Sequence, residues 1–402
     1  MCSALVRTEN NSEFRIQNSE LILWGDIQFL SFIQNIKYEQ YYLKGVSHMS
    51  RFFSEKYKDL VAYVPGEQPG NQKYIKLNTN ENPYPPLPEV AEAVRAESEK
   101  LYLYSDTECV ELRKILAERL NVSAEELLMT NGSDEILNFA FMAFCDSKTP
   151  AVFADVTYGF YPVFADINML PYEEIPLKED LTIDITDYFG KNGTIFIANP
   201  NAPTAIALGR DEIEEIVKRN PGNIVVVDEA YVDFGAESCV PLIRKYDNLL
   251  VTQTFSKSRS MAGARLGMGI GNPELIRDLN TVKYSLNPYN VNRLTHAAGV
   301  ACLRKDEYNI RNCGIIMETR DRTAKALRDL GFEMTESRTN FLFVRHPEVS
   351  GEELYLELKK RGILIRHFSK ERIKDYNRIT IGTPEQMDAL IANIKDILEE
   401  KK

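Results

Sequence analysis

A chain of 402 residues, 44% apolar and 27% charged, has the make-up of an ordinary globular protein and is long enough for two or three domains with full cores. Its 48 basic and 59 acidic residues leave a net charge of -11, which argues against a nucleic-acid surface and means that any anionic ligand is held by a local basic cluster. Six cysteines (Cys2, Cys109, Cys145, Cys239, Cys302, Cys313) and four histidines (His48, His296, His346, His367) lack zinc, redox or triad spacing, so reduced packing thiols and no metal site are expected.

Residues 1–48 read as an extension of unclear role. The segment 21–33 is apolar-rich, but Asp26 and Gln28 interrupt it and it is too short to span a bilayer. It lacks a basic leader with a small-residue cleavage site, so no signal peptide is expected, and Met49 is read as a candidate initiator. An amphipathic arm over 51–69 runs into a Pro/Gly-rich link. The stretch 75–86, IKLNTNENPYPP, is too rich in asparagine and proline for a helix and is expected to be an ordered loop.

Helices are predicted over 89–100 and 107–120. Leu127–Thr130 reads as a short strand that ends in Asn131-Gly132-Ser133-Asp134-Glu135, before an apolar helix over 136–144. A glycine turn and Ser-Asp at a helix start leave backbone N–H groups for an anion, although a plain N-cap would look the same. Strands are predicted at 151–154, 194–198 and 224–227. Each ends in polar groups: Thr157-Tyr158-Gly159-Phe160-Tyr161, Asn199 to Thr204, and Asp228-Glu229-Ala230-Tyr231. Continuous apolar runs of this kind predict a parallel sheet with helices on both faces and a ligand at the strands' C-terminal ends.

A further apolar run, Leu249 to Val251, gives way to Thr254-Phe255-Ser256-Lys257, with Arg265 eight positions after the lysine. Burial and neighbouring positive charge favour the free amine of a lysine, the form that attacks carbonyls. Thr254, Ser256 and Arg265 supply two hydroxyls and a permanent cation, a set suited to phosphate. Taken alone, Lys257 and Arg265 would equally suit a solvated face with serine caps. Gly267, Gly269 and Gly271 do not have the dinucleotide spacing and are read as a decoy, and no Gly-Lys-Ser phosphate loop occurs. Helices are then predicted over 273–279, 292–303 and 309–330. The tail alternates strands (340–344, 363–366, 378–382) with helices (352–361, 384–399) and reads as a smaller α+β domain.

These motifs make one joint demand. Asp228 at a strand end can pair with a protonated pyridine nitrogen, and Tyr231 can reach the ring's phenolic oxygen. Tyr158 can lie on the ring face. Gly132, Ser133 and Asp134, with Ser256 and Arg265, can hold a phosphate, and Lys257 can close an imine. That is the set that pyridoxal 5'-phosphate requires.

The segments LNTNENPYPP, LYLYSDTECVELR, NGSDE, TYGFY, NPNAPT, VVVDEAYVDF, QTFSKSRSMAGARLGMGIG, RTNFLFVR, GILIRHF and NRITIGTPE cover nearly everything after residue 48. On them the chain resembles the fold-type-I pyridoxal-phosphate aminotransferases, and within these the class II histidinol-phosphate aminotransferase subfamily. The resemblance implies an α/β fold, with a large domain around a mostly parallel seven-stranded sheet (81–305), a small α+β domain (306–402) and an N-terminal arm (49–80). It implies that Lys257 is the Schiff-base lysine and proton shuttle, that Asp228 and Tyr231 serve the ring nitrogen and phenolic oxygen, and that Thr254, Ser256, Arg265 and the 132–134 turn hold the cofactor. Tyr104 would reach the phosphate from a partner subunit, making a homodimer with shared sites. Arg366 and Arg378 would bind the substrate anion, with Asn340 and Tyr84 nearby. The implied reaction is a ping-pong transamination between L-histidinol phosphate and 2-oxoglutarate, giving imidazole acetol phosphate and L-glutamate, in the cytoplasm and without membrane or nucleic-acid partners.

In one place the chain departs from the superfamily pattern. The asparagine that usually precedes Pro-Thr and donates to the phenolic oxygen is Ala202 here, and the usual glycine is Ala205. Asn201 or Asn199 is expected to take over that donation. Rival functions on the same fold are an aromatic amino-acid aminotransferase and a threonine-phosphate decarboxylase. A cofactor-binding regulator without turnover is the non-enzymatic rival.

Overall fold

Six strands with almost wholly buried side chains and one exposed edge strand make the sheet that carries the candidate site. The computed structural model describes residues 50–68, 70 and 73–401, together with the backbone of 4–6 and 15–17. Expectations about Cys2, 21–33, His48 and Met49 fall outside the described residues. Contacts divide the chain into two units, Met1–Val64 and Pro65–Lys402. The first holds an antiparallel pair, β1 (Ala4–Val6) and β2 (Arg15–Gln17), and a single 3-10 turn at Glu55–Tyr57.

The second unit begins its regular structure with β3 (Ile75–Lys76), α1 (Pro88–Ser98), which has proline at its start, and α2 (Val110–Leu120). Then come β4 (Leu127–Thr130), α3 (Ser133–Phe144), β5 (Ala151–Ala154), α4 (Tyr161–Ile167), β6 (Tyr172–Ile175) and β7 (Thr194–Ala198). They are followed by α5 (Arg210–Arg219), β8 (Val225–Asp228), β9 (Leu249–Thr254) and β10 (Gly267–Gly271). The sheet order is β4-β10-β9-β8-β7-β5-β6, parallel except for β10, which runs antiparallel to both neighbours. Val225 and Val227 belong to one apolar cluster, while Val226 and Leu250 belong to another. Alternate residues therefore face different cores, and the sheet is covered on both faces as the apolar runs predicted.

Two features of this sheet escape the sequence pattern. Strand β6 is an edge strand whose Tyr172, Glu173 and Glu174 are exposed, so it lacks the apolar signature. The alternating glycines, read as a decoy, form β10 and bring α3 close: a Cβ on Gly269 would stand 2.7 Å from the side chain of Ile136.

The chain continues through α6 (Pro273–Leu286), α7 (Arg293–Arg304) and α8 (Glu307–Asp329). Helix α6 runs about two turns beyond its predicted end, and Lys283 is buried there, its Nζ donating to the Thr107 carbonyl at 2.6 Å. The remaining elements are β11 (Glu333–Met334), β12 (Phe341–Arg345), α9 (Gly351–Lys360), β13 (Ile363–Leu364), β14 (Arg366–His367), β15 (Asn377–Thr380) and α10 (Pro384–Glu400). A four-stranded antiparallel sheet has the order β11-β12-β15-β14. The strand predicted over 363–366 is two strands: β13 pairs in parallel with β3, and after Ile365 β14 joins β15. Ile75 and Lys76, expected in a loop, supply the other half of the first pair.

Candidate active site

Strands β8 and β9 deliver the central groups side by side. Asp228 ends β8 in register with Thr252 of β9 and is 5% exposed. Its Oδ1 accepts from the Thr252 hydroxyl at 3.2 Å and its Oδ2 from the Tyr161 hydroxyl at 3.5 Å. Neither donor is a cation, and burial pushes the carboxyl up to about 6. A buried carboxylate held only by neutral donors is poised for a positively charged ligand group.

Strand β9 leads into the turn that carries Lys257, which is half-buried. Its Nζ lies 3.4 Å from the Thr79 carbonyl oxygen and 5.7 Å from the centre of the Tyr231 ring. The turn is clamped from two sides. Asn82 Nδ2 donates to the carbonyls of Lys257 and Ser258 at 3.0 and 3.3 Å. Beneath it, buried Arg259 bridges Asp233 at 3.3 Å and Asp306 at 3.2 Å.

Helix α3 starts at Gly132 (φ +76°) without a side-chain cap, so its first N–H groups point outward at the positive end of the helix dipole. Arg265 reaches Asp134 Oδ2 at 3.0 Å and donates to Ser256 Oγ at 3.3 Å. Thr254 bonds Ser256 at 3.0 Å, and the Tyr158 hydroxyl donates to Asp134 Oδ1 at 2.6 Å. Tyr158, Asp134, Arg265, Ser256 and Thr254 are thus one connected group around the helix start.

Arg366 and Arg378 face each other in register across β14 and β15, each with its guanidinium 5.8 Å from the Phe368 ring centre. Arg378 Nη2 donates to the Asn78 carbonyl at 3.0 Å. Asn340 is fully buried: its Nδ2 donates to the Asn80 carbonyl at 3.0 Å, while its Oδ1 meets no partner among the described residues. The backbone of Tyr84 donates to Asn82 Oδ1 at 3.0 Å, and burial pushes its phenol upward.

Tyr104 is exposed, stacks on Tyr289 at 4.3 Å, and its carbonyl accepts from Arg293 at 2.6 Å. Asn201 and Asn199, of which the donation to the phenolic oxygen is expected, have side-chain partners within the chain. Asn201 Nδ2 serves the Val156 carbonyl and the Thr204 hydroxyl, both at 2.9 Å, and the Asn199 amide is closed on the backbone of Leu208. Both amides hold their own loop.

Sequence reading missed Thr252, Tyr161, Asn82 and Asn80. Thr252 is recoverable once β8 and β9 are aligned. The two asparagines lie in a loop where residue type alone does not say which one faces the site.

The aminotransferase class I and II family model matches residues 72–394. The chain belongs to that family, whose cofactor is pyridoxal 5'-phosphate. It is similar to a histidinol-phosphate aminotransferase of Brachyspira hyodysenteriae, 47% identical over 353 residues that cover 87% of this chain and all of the relative. Histidinol-phosphate aminotransferase 1 of Bradyrhizobium diazoefficiens is also 47% identical, over 350 residues, with the same coverage. Among solved structures, the histidinol-phosphate aminotransferase of Sinorhizobium meliloti in complex with pyridoxal-5'-phosphate shares the fold. Its TM-score is 0.79 at 22% identity, covering 88% of this chain and 99% of that one.

The residues present fit the cofactor. Asp228 has no cationic partner among the described residues, and the cradle at Gly132 is one that a Cβ would fill, standing 2.5 Å from Arg265 Nη2. No helix among the described residues is long and apolar enough to cross a membrane.

Proposed function

We propose that the chain transfers the amino group of L-histidinol phosphate to 2-oxoglutarate, releasing imidazole acetol phosphate and L-glutamate, as a step of histidine biosynthesis. The reading is carried by the in-register pair Arg366 and Arg378. One substrate ends in a phosphate and the other in a carboxylate, and two planar guanidinium groups accept either.

When bound, the cofactor supplies a conjugated ring that takes up electrons from the substrate's α-carbon. The chain's own groups do the rest. Lys257 would carry the cofactor, and its free amine would move the substrate's α-proton through Nζ. Asp228 would keep the ring nitrogen protonated, Tyr231 would donate to the phenolic oxygen, and Tyr158 would serve the ring face. Gly132, Ser133, Asp134, Thr254, Ser256 and Arg265 hold the phosphate, joined by Tyr104 of the partner subunit. Arg366 and Arg378 hold the substrate's anionic end, with Asn340 and Tyr84 beside them.

A homodimer is supported by the exposed run Leu101, Tyr102, Leu103, Tyr104 and the exposed Tyr289, an apolar patch that a second copy would cover. We divide the chain functionally into the extension (1–48), an arm (49–80), the cofactor domain (81–305) and the small domain (306–402), and place it in the cytoplasm. An amino-donor screen with 2-oxoglutarate as acceptor tests the reading. Histidinol phosphate is expected to give the highest kcat/KM. A higher value with phenylalanine, or carbon dioxide release from threonine phosphate, overturns it. So does bound cofactor with no amino transfer at all.

A further inference from the structure

Ala202 stands in place of the usual asparagine, Asn201 Nδ2 donates to Val156 and Thr204, and the Asn199 amide is bonded to Leu208, so Tyr231 is the side-chain donor we assign to the cofactor's phenolic oxygen. A phenol O–H rotates about its C–O bond and serves whichever acceptor its surroundings leave it. What fixes its direction is Asn80, whose side chain meets the hydroxyl. Asn80 is 1% exposed and sits at φ +57°, a left-handed conformation that asparagine tolerates better than most residues. Its backbone N–H donates to Thr380 Oγ1 at 2.9 Å, and that hydroxyl sends its own hydrogen to Asn80 Oδ1 at 3.1 Å. Its carbonyl accepts from Asn340 Nδ2 at 3.0 Å. With the amide oxygen held by Thr380, the amide nitrogen is turned to Tyr231 Oη, at 2.9 Å.

We propose that Asn80 is a positioning residue: by donating to Tyr231 Oη it occupies a lone pair and leaves the hydroxyl hydrogen free to point into the site, onto the cofactor's phenolic oxygen. The inference rests on the role given to Tyr231 under the proposed function. It explains how the chain dispenses with the second donor. A tyrosine of fixed polarity gives one well-aimed hydrogen bond, whereas a freely rotating hydroxyl divides its time between acceptors. The position tolerates little else. A donor is needed toward Tyr231 and an acceptor toward Thr380, on a backbone in the left-handed region, and asparagine meets all three demands.

The test is an absorbance titration of the holoenzyme. A donor on the phenolic oxygen stabilises its negative charge and so favours loss of the proton from the adjoining Lys257–cofactor linkage; losing the donor raises the midpoint. Tyr231→Phe is expected to raise it by about one pH unit. Asn80→Asp presents an acceptor in place of the donor, draws the tyrosine hydrogen away from the site, and is expected to raise the midpoint by a similar amount. Asn80→Gly keeps the left-handed backbone, frees the hydroxyl and should give a smaller rise. In the Tyr231→Phe background neither change at position 80 should add a further shift.

Failure of the two readings is distinguishable. No shift in Tyr231→Phe removes the tyrosine from the phenolic oxygen, and the inference falls with it. A shift in Tyr231→Phe together with wild-type titration in both Asn80 variants overturns the inference alone, because the amide then faces the other way. A shift in Asn80→Asp that persists undiminished without the tyrosine hydroxyl is only the field of a new carboxylate, and also overturns it.

Discussion

Gly267 lies so close beneath Ser133 that a Cβ built on it would stand 2.5 Å from the Ser133 backbone nitrogen. That nitrogen belongs to the first turn of α3, the helix start to which we assign the cofactor phosphate. Backbone cannot swing aside as a side chain can, so Gly267→Ala should push the helix start off β10. We expect a loss of about 3 kcal/mol in urea unfolding and at least a tenfold weaker hold on the cofactor. Gly263, with nothing within 4 Å of its would-be Cβ, is the control, and Gly263→Ala should change neither quantity. Equal behaviour of the two variants would show that the close approach has no bearing on the cofactor.

The facing pair Arg366 and Arg378 should reveal itself through both substrates at once. Arg378→Ala is expected to raise KM for histidinol phosphate and for 2-oxoglutarate by about 100-fold each, with kcat changed far less. Arg378→Lys should recover only part of that, since an ammonium lacks the planar fork of a guanidinium. A rise confined to one substrate would mean that the two anions are bound at separate places.

What could be read from the sequence follows a physical division. The runs Leu127–Thr130, Ala151–Ala154, Thr194–Ala198 and Leu249 to Val251 are buried on both faces, and burial leaves a continuous apolar trace. Strand β6 shows only Ile175 to the core, and β10 is half glycine, so neither leaves that trace. The split at Ile365 was hidden because the chain passes from one sheet to the other without a glycine, proline or other turn residue to mark the change. At the site, residues with distinctive chemistry (Lys257, Asp228, Arg265) announce themselves. Asn80, Asn82 and Thr252 do not, since their effect depends on which atom faces which neighbour. The Ala202 departure was visible at once, but its compensation was sought one or three residues away along the chain. The residue to which we assign it, Asn80, is 122 positions away in sequence and acts through Tyr231, on a loop joined to that tyrosine only by folding.

Lys257→Ala should abolish turnover, to below about one ten-thousandth of the wild-type rate, because no other amine replaces its proton transfer. Borohydride reduction offers a reading that is independent of turnover. It should fix the cofactor to the wild-type peptide containing Lys257, detected as a mass increase, and fix none to the variant. Attachment to another lysine, or wild-type turnover in the variant, would remove Lys257 from its assigned place. The clamp of Asn82 on the Lys257 carbonyl suggests how that place is kept.

The carboxyl of Asp228 should make the cofactor-free chain less stable as pH rises. Its ordinary value is 3.8 and burial lifts it to about 6 in the folded chain. Between those values the unfolded chain has already released this proton while the folded chain retains it, so deprotonation favours unfolding. The destabilisation is absent below about pH 4, grows up to about pH 6 and is complete above, where it amounts to roughly 3 kcal/mol. Asp228→Asn removes the charge and keeps the shape. At pH 7 the cofactor-free variant should therefore unfold at a higher urea concentration than the cofactor-free wild type, and the gap should close as pH falls toward 4. Glu229, raised to about 7 by the same burial, is present in both proteins and cancels in the comparison. Cofactor should reverse the order, since a protonated ring nitrogen gives the wild-type carboxylate the partner it lacks and stabilises the folded state by its binding. A variant no more stable than wild type when empty would mean that water or a rearranged hydroxyl already solvates Asp228, and the site would then hold no strain for the cofactor to relieve.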